Sequence, residues 1–149
     1  MELHDQIGLL LREKSPQVWH LPPTAIVFDA IALMAEKRIG ALLVMSEGRL
    51  LGIVSERDYA WKVILQGKSP QDTQIQEIMS SPVVSVTPKH TVGDCMAIMT
   101  NSHIRHLPVV DGKTVVGMLS IGDIVKWVIS AQEETINQLS SYITGRYPG

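Results

Sequence analysis

Two short segments of the chain carry the residue types best suited to chemistry. One reads Gly52-Ile53-Val54-Ser55-Glu56-Arg57-Asp58 and the other Gly117-Met118-Leu119-Ser120-Ile121-Gly122-Asp123. Each runs glycine, two apolar residues, serine, two variable residues, aspartate. Glycine lets a backbone or a ligand approach closely. A serine where a helix begins offers a hydroxyl beside unpaired backbone N–H groups, a place that suits an anion such as phosphate. An aspartate in the first helical turn points its carboxylate back toward the same opening. Its two acceptor oxygens can take both hydrogens of a vicinal diol, as on a ribose. The structural alternative is a helix N-cap with a favourable first-turn acid, worth ~0.5–2 kcal/mol.

The segments recur because the chain is a duplication. Shifted by about 65 positions it aligns on itself without a gap, residues 18–62 on residues 83–127. Among the identities are Val18/Val83, Pro23/Pro88, Val27/Val92, Asp29/Asp94, Met34/Met99, Ile39/Ile104, Leu42/Leu107, Val44/Val109, Gly52/Gly117, Ser55/Ser120 and Asp58/Asp123.

Each copy reads strand, helix, strand, strand, helix. Short first strands are expected around Val18–Leu21 and Val83–Val86, ended by Pro22 and Pro23 or by Pro88, since proline removes a ladder donor. Val27, Ala30, Ile31 and Met34 then fall on one helical face, as do Val92, Cys95, Met96 and Met99. Thr91 with Asp94 resembles a capping box. Two β-rich hairpins follow, Ala41–Met45 with Leu50–Val54 and His106–Val110 with Thr114–Leu119, the second turning at Asp111-Gly112. Ser55 and Ser120 sit where strand gives way to helix. The last helix is expected from about Gly122 toward Tyr142, with Val125, Val128, Ile129, Ile136, Leu139 and Ile143 as its apolar stripe. The reading gives an N-terminal helix over 1–14, a first repeat over 15–65, a polar connection over 66–77, a second repeat over 78–130, and a helical extension and tail over 131–149, whose end, Gly145–Gly149, is expected to fray. Neither half is large enough to be comfortable alone, so the two sheets are expected to pack across a pseudo-twofold axis.

Composition narrows the function. A net charge of −2 gives no drive toward bulk nucleic acid. No apolar run approaches the ~18 residues of a membrane span, and the N-terminus makes a poor signal peptide. The single cysteine, Cys95, has no internal partner, so a cytoplasmic location is expected. It lies on an apolar helix stripe and is expected in the core. His4, His20, His90, His103 and His106 lack an accompanying Cys or acid cluster, which argues against a metal site. Glu56 and Asp58 are two apart and diverge on a helix. No Ser–His–Asp set, phosphate loop or Gly-x-Gly-x-x-Gly motif is present.

The sequence resembles the CBS (cystathionine beta-synthase) domain family, in particular small stand-alone bacterial proteins built of one CBS pair. The resemblance is carried by Ile39-Gly40-Ala41-Leu42-Leu43-Val44, Gly52 to Tyr59, Ile78-Met79-Ser80-Ser81-Pro82-Val83, His103-Ile104-Arg105-His106-Leu107-Pro108-Val109-Val110 and Gly117 to Asp123, over about residues 15–130. It implies an α/β (α+β) fold of two tandem βαββα repeats paired by pseudo-twofold symmetry, with nucleotide clefts that mix both halves. Carried over, one cleft combines Ser120 and Asp123 with Trp19, His20, Ile39, Gly40 and Ala41. The other combines Ser55, Arg57 and Asp58 with Met79, Val84, Ser85, Ile104, Arg105, His106 and Pro108. With the motif in both copies, the resemblance tips the balance from helix cap to ribose site. On this assignment Arg57 and Arg105 make the Asp58 cleft the more cationic, so it is expected to take the more phosphorylated nucleotide.

The expected function is a non-catalytic regulatory sensor. Its ligand is expected to be an adenosine-containing nucleotide, AMP first, then NAD, ATP or S-adenosylmethionine. A homodimer through the helices after the motifs, near Trp61 and Trp127, is implied, with an effector protein as a further partner. The alternative is a dimeric scaffold for an enzyme or transporter, its clefts vestigial. An enzyme is disfavoured, because no residue set supplies base, nucleophile and charge stabiliser together.

Overall fold

The helical periodicity that follows the proline-ended run of each repeat becomes a helix in both. The structure, a computed structural model, describes residues 2–143. Helix α1 spans Ile7–Arg12. Helix α2, Val27–Lys37, buries Val27, Ala30 and Met34, and its counterpart α4, Val92–Ser102, buries Val92, Cys95 and Met99. Both end in the same way. Arg38 and His103 adopt the left-handed conformation, with φ of 55° and 54°. The next N–H, of Ile39 or Ile104, then donates to the Met34 or Met99 carbonyl at 3.0 Å. The starts differ, because Thr91 and Asp94 form the expected reciprocal capping box while Ile26 has no side chain able to cap.

Strands β2 (Ala41–Ser46) and β3 (Arg49–Ser55) pair antiparallel with Leu42 opposite Val54 and Val44 opposite Gly52. The two turn residues, Glu47 and Gly48, both have positive φ, 53° and 77°, as a tight hairpin turn requires. Strands β4 (His106–Asp111) and β5 (Thr114–Ser120) form the second hairpin around Asp111-Gly112.

The first strands are shorter than expected. Only His20–Leu21 forms β1, parallel to β2 through His20↔Leu43 and Leu21↔Val44. Residues 83–85 form no strand, and the sheet of the second repeat is two-stranded. That run lies between Pro82 and Pro88, neither of which has an N–H to give a ladder.

The chain forms two compact units. One joins Pro16–Ser85 with Pro108–Met118. Its core is Val27, Ala30, Met34, Leu42, Val44, Val54, Val63, Ile75 and Ile78. The connection expected to be a polar link takes part in this packing. Thr73 and Ile75 are buried, and the segment is strapped to the start of α2 by Val27 N–H to Thr73 O and Ile75 N–H to Ala25 O, both 2.8 Å. Helix α3, Glu56–Tyr59, continues into a π-helical turn over Ala60–Ile64.

The other unit joins Met1–Ser15, Val86–Leu107 and Leu119–Gly149. Its buried apolar residues are Ile7, Leu10, Val86, Val92, Cys95, Met99, Leu107, Leu119 and Ile124. The N-terminal segment is thus part of this unit. Ile7 N–H donates to His90 O at 2.9 Å, Gly8 N–H to Pro88 O at 3.0 Å, and Val92 N–H to Asp5 O at 2.9 Å. Helix α5 spans Ile121–Ile143, close to the expected extent. The expected fraying tail lies outside the described residues.

Candidate functional site

Both Ser-x-x-Asp segments fold into the same strand-to-helix corner. At the first, β3 hands over to α3 at Ser55. Asp58 Oδ2 accepts from the Ser55 N–H at 2.9 Å and from its hydroxyl at 3.0 Å, while Asp58 N–H donates to Ser55 Oγ at 3.3 Å. At the second, β5 hands over to α5 at Ser120. Asp123 Oδ2 accepts from the Ser120 N–H at 2.8 Å, and Asp123 N–H donates to Ser120 Oγ at 3.1 Å. The preceding strand pins each corner: Glu56 N–H donates to Gly40 O at 3.0 Å, and Ile121 N–H to Arg105 O at 2.9 Å. Ala41, buried in β2, lies opposite Ser55.

Each carboxylate also holds a lysine, and neither lysine was among the expected site residues. Asp58 Oδ1 pairs with Lys62 Nζ at 2.9 Å, one helical turn on, and Lys62 donates as well to Ile78 O at 2.9 Å. Asp123 Oδ2 pairs with Lys14 Nζ, which comes from the N-terminal segment. The i+4 spacing made Lys62 legible. Nothing local marks Lys14, which is 109 positions from its partner.

The second corner is more open, and its electrostatics differ. Asp58 is 8% exposed, whereas the side chains of Lys14 and Asp123 are 30% and 23% exposed. Burial alone raises the Asp123 carboxyl, but hydrogen bonds from Lys14 and Ser120 outweigh it and hold the group below the usual carboxylate range. His106, half-buried at the start of β4, is pushed below its ordinary value, first by burial and then by the Lys14 ammonium; Asp123 opposes this, and Arg105 adds to it. Lys14, Arg105, His106 and Asp123 therefore share one corner.

This corrects the expected distribution of charge. Arg105 and His106 sit beside Asp123, the serine-aspartate pair of their own repeat, and Lys14 adds another cation there. Arg57 does not reach toward Asp58; its guanidinium lies over the exposed Trp61 ring, 5.2 Å from the centroid. Gly52 also has a packing role: a Cβ there would meet Met79 Sδ at 2.5 Å and Cγ at 2.9 Å, so Met79 fills the space that the missing side chain leaves.

The other candidates are placed as follows. Trp19 and Ile39 pack against the core of the first repeat, and the Lys37 ammonium stands over the Trp19 ring at 4.4 Å. His20 is exposed in β1, Val84 and Ser85 are exposed outside regular structure, and Pro108 is buried in β4. Ile104 is half-buried just past the end of α4. Cys95 is fully buried, and burial pushes its thiol up to about 11. His103 serves as the left-handed cap of α4. Among the described residues no three His, Cys, Asp or Glu side chains gather to hold a metal. No helix among them is long and apolar enough to cross a membrane.

A duplicated βαββα unit with paired serine-aspartate corners defines the class. The chain belongs to the CBS domain family, with residues 12–63 and 75–130 matching that domain. It is 40% identical over 126 residues to the mitochondrial CBS domain-containing protein CBSX3 of Arabidopsis thaliana, covering 81% of this chain and 61% of that protein. It is 32% identical over 129 residues to the CBS domain-containing protein YhcV of Bacillus subtilis, covering 87% of this chain and 84% of the relative. Among solved structures, a protein with CBS domains from Burkholderia ambifaria MC40-6 superposes with a TM-score of 0.83 at 45% identity, covering 85% of this chain and 96% of that one. The CBS domain pair of MJ0100, solved in complex with 5′-methylthioadenosine and S-adenosyl-L-methionine, superposes with a TM-score of 0.75 at 25% identity, covering 85% of this chain and 97% of that one. CBS pairs are regulatory, ligand-binding modules.

Proposed function

We propose that this chain is a non-catalytic sensor that binds an adenosine-containing ligand at its serine-aspartate corners. AMP is the first candidate, followed by NAD, ATP and S-adenosylmethionine. One observation carries the reading: in both repeats an aspartate is fixed at the strand-to-helix corner by the same serine contacts, its carboxylate half-buried or buried. The capping box of Thr91 and Asp94 has the same local hydrogen bonds, but Asp94 is exposed and has no lysine partner among the printed contacts. A cap alone needs no burial; a diol acceptor gains strength from it. The solved complex of MJ0100 supports the ligand class. Trp19, His20, Ile39, Gly40, Ala41, Met79, Val84, Ser85, Ile104, Arg105, His106 and Pro108 complete the proposed binding residues. The protein acts as a homodimer in the cytoplasm and passes its state to an effector protein. A ligand shifts that state only by its differential affinity for the two conformations.

Calorimetry with AMP, ATP, NAD and S-adenosylmethionine tests this. Binding tighter than millimolar is expected, and Asp58→Asn or Asp123→Asn weakens it by ~1–3 kcal/mol, the loss for a charged acceptor. If all four ligands fail to bind by that limit, the sensor reading is wrong. A scaffold reading is favoured by a different observation: both carboxylates already have protein partners. It expects effector binding to survive the Asp58→Asn/Asp123→Asn double substitution and to ignore nucleotide.

A further inference from the structure

We propose that Lys14 makes the Asp123 corner selective for phosphate-bearing nucleotides over neutral nucleosides. The inference rests on the proposed role of Asp123 as an acceptor for ribose hydroxyls. The two repeats neutralise their aspartates by different routes. In the first, Lys62 is on the same helical stretch as Asp58 and is held a second time by Ile78 O. In the second, the position equivalent to Lys62 is Trp127, whose indole N–H donates to Asp5 Oδ2 at 3.0 Å. The lysine comes instead from the segment that carries Asp5. That segment is seated by buried Ile7 and Leu10 and by three backbone hydrogen bonds, and it ends with the Lys14 ammonium 2.5 Å from Asp123 Oδ2.

A ribose that takes the Asp123 oxygens must share them with, or displace, this ammonium. A neutral nucleoside offers the ammonium nothing in return. The displaced charge stays in a partly buried corner that already holds His106 and Arg105, so binding carries an electrostatic penalty. A nucleotide phosphate offers a new anionic partner within reach of a flexible lysine. The pair at Asp123 thus acts as a filter on ligand charge. Lys62, anchored twice, gives the first corner no comparable freedom.

The test compares AMP with adenosine on the full chain by calorimetry, in wild type, Lys14→Met and Lys14→Gln. Met keeps the apolar stem of the lysine, and Gln keeps a polar end. In both variants AMP is expected to weaken and adenosine to tighten, so that the preference for AMP falls by about tenfold or more. In an Asp123→Asn background the same Lys14 substitutions are expected to leave the ratio unchanged, which ties the effect to this corner. If wild type binds AMP and the ratio is the same in the Lys14 variants, the filter is refuted while the sensor reading stands. If the ratio falls equally in the Asp123→Asn background, Lys14 acts elsewhere and the filter is also refuted. If wild type binds neither ligand, both readings fail together.

Discussion

At the scale of single residues, protonation gives the sharpest handle on the second corner. The folded Asp123 carboxyl lies below its ordinary value of 3.8. The stability it contributes is therefore complete above 3.8 and is lost as pH falls through the lower folded value. His106 lies below 6.5 in the folded state, so it too disfavours acid: stability declines as pH drops from 6.5 toward its folded value. Urea melts across pH 7 to 3 should show both losses. Asp123→Asn is expected to flatten the acid-most limb and His106→Gln the limb below 6.5. A curve that Asp123→Asn leaves unaltered would mean that the Lys14 pair adds nothing to folding. The first corner offers a steric test. Gly52→Ala drives a methyl into Met79 and is expected to destabilise by ~1–3 kcal/mol. Combining it with Met79→Ala should recover part of the loss, because the cavity left by Met79 accepts the new methyl. Additive losses in the double variant would show that Met79 is not the obstacle.

At the scale of elements, the hydrophobic periodicities were legible because they encode burial directly. Val27, Ala30 and Met34 could be placed on a core face from spacing alone, and so could Val92, Cys95 and Met99. The paired Ser55/Asp58 and Ser120/Asp123 corners were legible for the same reason that the duplication was: a local hydrogen-bond pattern needs only residues within one turn. Contacts between distant segments were not legible. Nothing in residues 1–14 signals that they seat against the second repeat and deliver Lys14 to Asp123, since such docking depends on where the chain returns in space. The expectation that Arg105 and His106 would charge the Asp58 corner failed through the same blindness to position, although Ile121 N–H to Arg105 O is an ordinary strand-to-helix contact. The strand expected at residues 83–86 was lost to its flanking prolines. Docking of the N-terminal segment gives an element-scale prediction. Ile7 is fully buried, so Ile7→Ala should cost about 2–5 kcal/mol, as for a large core residue. Loosening the segment should also weaken the hold of Lys14 on Asp123 and mimic part of the Lys14→Met ligand preference. A change below about 0.5 kcal/mol, the range of an ordinary surface site, would show the segment to be undocked in solution.

At the scale of the whole molecule, the apolar residues left in water point to the proposed homodimer. On α5, Val125, Ile129, Ile136 and Leu139 are 49%, 50%, 63% and 59% exposed. With Gln132 between them, these positions advance by four, three, four and three, the alternation of a coiled-coil seam. A single amphipathic helix with such a stripe facing solvent is poorly stabilised, and a second copy of the same helix offers a matching surface under twofold symmetry. Gln132, in the seam, would favour one register over its neighbours by requiring a polar partner. Trp61, Ile64 and Leu65, also exposed, extend the apolar surface beyond this helix. Sedimentation equilibrium at tens of micromolar should find a dimer, and Ile136→Asp with Leu139→Asp should weaken association by about 100-fold or more, the effect of charges placed in a buried seam. Substituting Glu133 and Glu134 by glutamine, off the seam, should leave association unchanged. If the wild-type chain sediments as a monomer at that concentration, the stripe on α5 serves another partner and the homodimer is wrong.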